Sequence, residues 1–182
     1  MAERPRLRAR DSLCPVPCPT QRNPRWYPLL LVRNTTARTR CVFLSEEITG
    51  FPLHFSVNAA GGGFSLCERS KCPLCLAGWP APWYGFAAVL ASYDGPLRLL
   101  SLPQAAYQWC DGLHAAQGRL RGRVLTLQRP RGNATGPVVA TLGDQVQDLE
   151  RLPRPFDVVE QVALRFGTQA ARVRQLLAGG AQ

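Results

Sequence analysis

The chain has 182 residues, enough for one domain of ordinary size, and 46% of them are hydrophobic, which excludes wholesale disorder. Its formal net charge is +10, because 22 Lys and Arg residues outnumber 12 Asp and Glu residues. This cationic excess favours a polyanionic partner, nucleic acid before an acidic membrane surface, and the plainer alternative is a basic surface without a partner.

The first segment, residues 1–24, is rich in Arg and Pro, and we predict that it forms a flexible basic arm. It has no continuous apolar stretch of the kind that marks a signal peptide, and the apolar run at 26–32 is too short to span a bilayer. We therefore expect a cytoplasmic protein without a membrane partner. In that reducing compartment, clustered cysteines indicate metal binding rather than disulfides.

Residues 25–150 are predicted to be mostly β structure. Two apolar runs, 25–34 and 40–47, flank a polar stretch and predict a hairpin. A second hairpin is predicted at 83–103, where Asp94 and Gly95 separate two apolar runs.

A helix and a third hairpin follow in the same region. Residues 104–117 have helix-forming composition, and the strand-like runs 119–130 and 136–144 are joined by a turn-rich loop. Strands in this order, with a helix between the third and fourth, suit a small five-stranded OB-like barrel. The predicted fold class is therefore mainly β (α+β): such a barrel with a zinc-knuckle insertion at 54–78 and a C-terminal helix in 151–182.

Four potential metal ligands lie within this barrel region, spaced His54-x12-Cys67-x4-Cys72-x2-Cys75. The C-x2-C turn lets two thiolates reach one ion, and Cys67 and His54 complete a Cys3His set, which is typical of closed structural zinc sites. The alternative is a group of reduced, partly buried thiols beside a core histidine. His54 is the least specific of the four, and Cys110 or His114 would be the replacement.

The sequence offers little for catalysis, and we predict no enzyme activity. Three thiolates lower the Lewis acidity of zinc, and a fourth protein ligand closes the site. His54 is followed by Phe55 and Ser56, so the glutamate of the zinc deaminase signature is missing. A phosphate-binding loop and a nucleophile elbow are also missing from the sequence.

Aromatic and arginine residues after the knuckle predict a surface for single-stranded nucleic acid, where rings stack on bases and cations follow the phosphates. In a strand, Arg119, Arg121 and Arg123 would share one face. The alternative is that the rings are core and the arginines a solvated edge. The predicted contact residues are Trp83, Tyr84, Arg98, Arg119, Arg121, Arg123, Arg129 and Arg131.

The combination of "CERSKCPLC", "WYGFAAVLASYDGPLRLLSLP" and "GRLRGRVLTLQRPRGNATGPVV" resembles the phage-type, zinc-containing single-stranded DNA-binding proteins over residues 54–142. The resemblance implies structural zinc, binding with little sequence preference, and a role in replication or recombination. The acidic C-terminal tail with which many such proteins recruit partners is absent from this sequence, which ends in "LAGGAQ" after a basic helix.

The C-terminal region supports a competing hypothesis. Ala163, Gly167 and Val173 have the spacing of a helix-turn-helix, which would place Arg172 and Arg174 on a helix that contacts duplex DNA. The simpler interpretation is an amphipathic helix docked on the barrel, where it would also offer a surface for protein partners. A third hypothesis is a zinc-stabilised adaptor in a nucleoprotein complex, in which the arginines contact RNA or nothing.

Overall fold

The computed structural model describes residues 27–32, 37–56, 63–92, 95–130, 137–146 and 148–178. The predicted arm at 1–24, the turn residue Asp94 and the predicted contact Arg131 lie outside these ranges. Among the described residues, no helix combines the length and the apolar character needed to cross a lipid bilayer.

The described residues form a mixed α+β fold, with one eight-stranded sheet and four α-helices. The strands are β1 (Leu29–Leu30), β2 (Thr39–Phe43), β3 (Thr49–Ser56), β4 (Gly63–Leu66), β5 (Trp83–Leu90), β6 (Leu97–Leu102), β7 (Arg123–Gln128) and β8 (Val139–Gln145). The helices are α1 (Pro73–Leu76), α2 (Gln104–Gln117), α3 (Val158–Arg165) and α4 (Ala170–Ala178).

The main pairing path of the sheet is β1-β6-β5-β2-β7-β8, and β3 pairs with both β5 and β4. Within the described residues, no pairing joins β8 back to β1, so a closed five-stranded barrel is not confirmed. The predicted hairpins β5–β6 and β7–β8 are present and antiparallel. The first predicted hairpin is wrong, because β1 pairs in parallel with β6 instead of with β2.

The inner face of the sheet packs against α2. Phe43, Val89 and Leu125 form one core on this face with Ala106 and Cys110 of the helix. Close approach of α2 requires glycine in the sheet, since a Cβ on Gly85 would lie 2.7 Å from Cδ2 of Tyr107. The helix is thereby held tightly against the strands.

The outer face is covered by the C-terminal segment, which is two helices rather than the single predicted helix. Gly167, with φ of 62°, ends α3 in a left-handed turn that a side chain would strain. Val162 and Val173, one from each helix, pack on Phe51 and Phe86 of the sheet. Both faces of the central strand β5 are therefore buried, which explains its continuous apolar sequence.

Candidate metal centre

The predicted ligands lie where the β3–β4 hairpin leads into β5. His54 is on β3 opposite Ser65 of β4, and Cys67 directly follows β4. A 3-10 turn at Arg69–Lys71 and the four-residue helix α1 then hold Cys72 and Cys75. Pro73 begins α1, where its missing N–H costs nothing.

All four ligand atoms converge, as the spacing predicted. The three sulfurs and one imidazole nitrogen lie within 4.8 Å of one another. Sγ of Cys75 is 3.3 Å from Sγ of Cys67 and 3.4 Å from Nε2 of His54. In a tetrahedral zinc site with Zn–S bonds near 2.3 Å, the sulfurs are roughly 3.8 Å apart, so a small inward or outward shift accommodates an ion. The three cysteines are free thiols, and this cluster could hold a metal ion.

The backbone around the cluster donates to sulfur. The N–H of Arg69 lies 3.2 Å from Sγ of Cys67, and the N–H of Cys72 bonds the carbonyl of Arg69 at 2.9 Å. Arg69 adopts a φ of 54°, the left-handed region that costs a residue with a side chain free energy. We infer that the amide–sulfur contact compensates for this conformation, as outer hydrogen bonds do around metal-bound thiolates.

The pKa values of the thiols respond to this environment. Burial raises the pKa of Cys67 to about 12, and the N–H of Arg69 only partly opposes this effect. For Cys72, burial is the largest single effect and raises the pKa, but the N–H groups of Cys75 and Leu74 together with the thiols of Cys67 and Cys75 outweigh it, so the pKa is lowered. Without a cation, Cys67 is therefore protonated at neutral pH, and a bound cation would displace its proton.

The alternative ligands lie elsewhere. Cys110 is fully buried in the inner core, where burial raises its pKa to about 12, as it does for the neighbouring Cys41. Nδ1 of His114 lies 2.8 Å from the carbonyl of Gly118 at the end of α2. His54 is therefore the histidine that belongs to the cluster.

The two aromatic contact candidates lie on opposite faces of the sheet, because neighbouring strand residues point in opposite directions. Trp83 is half-buried, and the guanidinium of Arg69 lies 5.0 Å from its ring centroid. Tyr84 packs edge-on against Phe64 on the outer face, and burial raises its pKa while the charge of Arg129 opposes the rise. One strand of nucleic acid could not stack on both rings at the same surface.

The arginine candidates are also divided. β7 begins at Arg123, so Arg119 and Arg121 precede the strand and do not share its face. The guanidinium of Arg121 donates to the carbonyls of Leu44 at 2.9 Å, Leu152 at 2.9 Å and Pro153 at 3.2 Å. Arg121 therefore holds the C-terminal segment to the sheet, a role that its sequence context did not reveal.

Arg119 is exposed, with Nε 3.9 Å from a carboxylate oxygen of Glu46. The remaining candidates, Arg98, Arg123 and Arg129, are half-buried.

The arginines of the helix-turn-helix hypothesis both pair with carboxylates. Arg172 bonds Glu68 of the knuckle, and Arg174 bonds Asp157 at the start of α3. Ala163 and Val173 are buried, as the motif requires. The turn geometry predicted from Gly167 is thus present, while its two arginines are engaged within the chain.

Compared with known proteins, the chain matches no protein-family model, no curated protein and no solved structure.

Proposed function

We propose that the chain is a non-catalytic nucleic-acid-binding protein, with single-stranded DNA as its first ligand, braced by structural zinc. The observation that carries the proposal is the convergence of His54, Cys67, Cys72 and Cys75 in a chain of net charge +10. A set of four protein ligands favours a structural ion, and the net positive charge of the chain favours a polyanionic partner.

Zinc would supply a tetrahedral cross-link, and the chain's own residues determine what it joins. His54 belongs to β3, while Cys72 and Cys75 belong to the knuckle just before β5. The four residues therefore fix the β3–β4 hairpin relative to the start of the central strand. With three sulfurs and one nitrogen from the protein, no position is left for substrate, which supports a non-catalytic role.

The strand order supports a partly open OB-like barrel. β2 and β3 run in the same direction along β5 and together act as one long first strand. β5 and β6 follow, α2 comes next, and β7 and β8 complete five strands with the helix between the third and fourth. We propose this arrangement as the OB-like scaffold, a fold whose strands and loops bind oligonucleotides in many proteins.

Two of the proposed phosphate contacts are arginines at one end of the inner face. The strand pairings place Val124 of β7 and Leu97 of β6 in one row across the sheet, with one residue of β2 and one of β5 between them. Arg123 and Arg98 are next to these two residues in the sequence and lie in the adjacent row across the sheet. Their side chains share the inner face with the core leucines of β7 and β6. Three strand spacings separate them by roughly 14 Å along the sheet. A single strand of several nucleotides could contact both.

Salt-dependent binding of an oligo-dT to the zinc-loaded chain tests the proposal. The five predicted arginines other than Arg121, namely Arg98, Arg119, Arg123, Arg129 and Arg131, would give a log–log slope of about −3.5, since each single-strand phosphate contact contributes about −0.7. Arg123→Gln should make the slope shallower by about 0.7, whereas Arg121→Gln should leave it unchanged. Absence of binding at low salt would overturn the proposal. An unchanged slope in Arg123→Gln would exclude the inner-face arginines as the binding surface.

Metal analysis tests the zinc separately. We expect about one zinc per chain, lost on Cys72→Ser, because one missing ligand opens the set. Zinc affinity should fall as the pH is lowered, since protons compete for the three thiolates and the imidazole. A chain that purifies without metal, and whose circular dichroism and unfolding midpoint do not respond to zinc, would contradict the structural role. Cys110→Ser is the matched control and should retain the metal.

Duplex DNA is the second candidate, favoured by one observation, the left-handed turn at Gly167 between the buried Ala163 and Val173. In that case a hairpin duplex should bind more tightly than oligo-dT, and Arg172→Gln should weaken it. Tighter binding of oligo-dT would exclude α3 and α4 as the main binding site.

A further inference from the structure

The knuckle has three large apolar side chains that are exposed to solvent. Leu76 is 75% exposed, Trp79 is 71% exposed and Leu74 is 41% exposed. We call these three residues the knuckle patch. The backbone holds them in place, because the N–H of Trp79 bonds the carbonyl of Leu74 at 3.0 Å. Exposed leucines and a tryptophan within six residues of one hydrogen-bonded turn are typical of a protein-binding surface.

The charged residues close to the knuckle patch in sequence are mainly cationic. Glu68 is the only acidic residue between Ile48 and Tyr93, and Arg172 pairs with it. Lys71, the only lysine of the chain, is exposed one turn before Leu74, and Arg69 adds a second positive charge beside Trp83. The acidic residue closest to the patch in sequence is thus paired, while Lys71 and Arg69 add two positive charges to the same segment. A second copy of this chain would bring the same cations face to face.

The chemistry of the patch also separates a protein from a nucleic acid. A base stacks on an aromatic ring, which Trp79 offers, but leucine has no π face for stacking. Leu74 and Leu76 gain from contact with other aliphatic side chains. We propose that the knuckle patch is the docking surface for an acidic amphipathic segment of a partner protein, whose apolar side chains cover Leu76 and Trp79 while its carboxylates face Lys71 and Arg69. This inference does not depend on nucleic-acid binding.

A designed peptide tests the surface on the zinc-loaded full chain. The probe is a helical peptide of about sixteen residues with leucines on one face and glutamates on the other, and its partner probe has lysines in place of the glutamates. Binding is followed by amide and indole signals in two-dimensional NMR spectra, with the indole signal of Trp79 assigned from Trp79→Phe. We expect the acidic peptide to shift the signals of Leu74, Leu76 and Trp79 and to bind about tenfold more tightly than the basic one.

Variants then locate the contact. A double variant, Leu76→Ser with Trp79→Ser, should weaken the acidic peptide about tenfold or more. Val139→Ser removes an aliphatic side chain of β8 that is 48% exposed, and it should leave the affinity unchanged. Retained zinc and unchanged amide signals in the core show that the double variant is folded.

Several outcomes would overturn the proposal. Equal binding of the two peptides, or binding of neither, would exclude the knuckle patch as a docking surface for an acidic segment. Shifts of the Trp79 indole signal by oligo-dT that disappear in the double variant would reassign the patch to nucleic acid. A dimer of the wild-type chain that the double variant converts to monomer would assign the patch to a second copy.

Discussion

Replacing Arg121 with glutamine tests whether this arginine holds the C-terminal segment to the sheet or contacts phosphate. Its guanidinium joins the carbonyl of Leu44, just after β2, to the carbonyls of Leu152 and Pro153 in the segment before α3. Glutamine is shorter and has one amide group, so it cannot join both segments. The three carbonyls would have to find water or remain unpaired.

The magnitude follows from the three hydrogen bonds. A bond from a charged donor contributes about 1.5–3 kcal/mol when buried. The contacts to Leu44 and Leu152 are partly buried and the contact to Pro153 is exposed, so water replaces part of the loss. We expect Arg121→Gln to lower the free energy of unfolding by about 2–4 kcal/mol.

Urea unfolding in buffer that contains zinc, followed by circular dichroism, measures the change. The matched control is Arg119→Gln, two residues earlier, because the Arg119 side chain is 84% exposed. This control should change the free energy of unfolding by less than about 0.5 kcal/mol. Equal stability of the two variants, combined with weaker oligo-dT binding by Arg121→Gln, would refute the structural assignment of Arg121.

Four further variants and a pH series test other parts of the fold. Gly85→Ala should lower the free energy of unfolding by about 1–3 kcal/mol because its Cβ would meet Tyr107, whereas Gly112→Ala, with open space in α2, should raise it by about 0.5–1 kcal/mol in the same urea assay. Asp157→Ala should cost about 1 kcal/mol in thermal or urea unfolding, since the carboxylate caps the first turn of α3; no loss would show that the cap contributes nothing. Burial raises the pKa of Cys41 and Cys110 to about 12. The two thiols therefore contribute fully to the free energy of unfolding below their unfolded-state pKa near 8.5, and this contribution is lost as the pH rises towards 12. Stability measured from pH 8 to 11 should therefore fall less in the double Cys→Ala variant than in the wild-type chain.

The convergence of the His/Cys cluster was predictable because most of its residues lie close together in the sequence. Cys67, Cys72 and Cys75 lie within nine residues, and the C-x2-C spacing fits one turn. The participation of His54 was harder to predict, since its approach to the three cysteines depends on the β3–β4 hairpin. The β5–β6 hairpin was predictable for the same reason as the knuckle, because its turn residues lie between two apolar runs.

Features that depend on distant contacts were not predictable. The parallel pairing of β1 with β6 joins residues about seventy positions apart, and no local pattern encodes it. The role of Arg121 depends on carbonyls of Leu44 and Leu152, which its own spacing does not indicate. The even spacing of Arg119, Arg121 and Arg123 suggested one strand, but Gly122, with φ of 81°, places a turn among them.

The position of the His/Cys cluster would also affect how quickly the chain folds if the cluster binds zinc. Pro52 of β3 pairs with Trp83 of β5, 31 positions later in the sequence. A cross-link between His54 and Cys75 would shorten the path between those partners to about 11 residues, which lowers the entropy cost of closing the loop by about 1 kcal/mol. If that loop closes before the rate-limiting step, refolding with zinc should be about fivefold faster than refolding with a chelator.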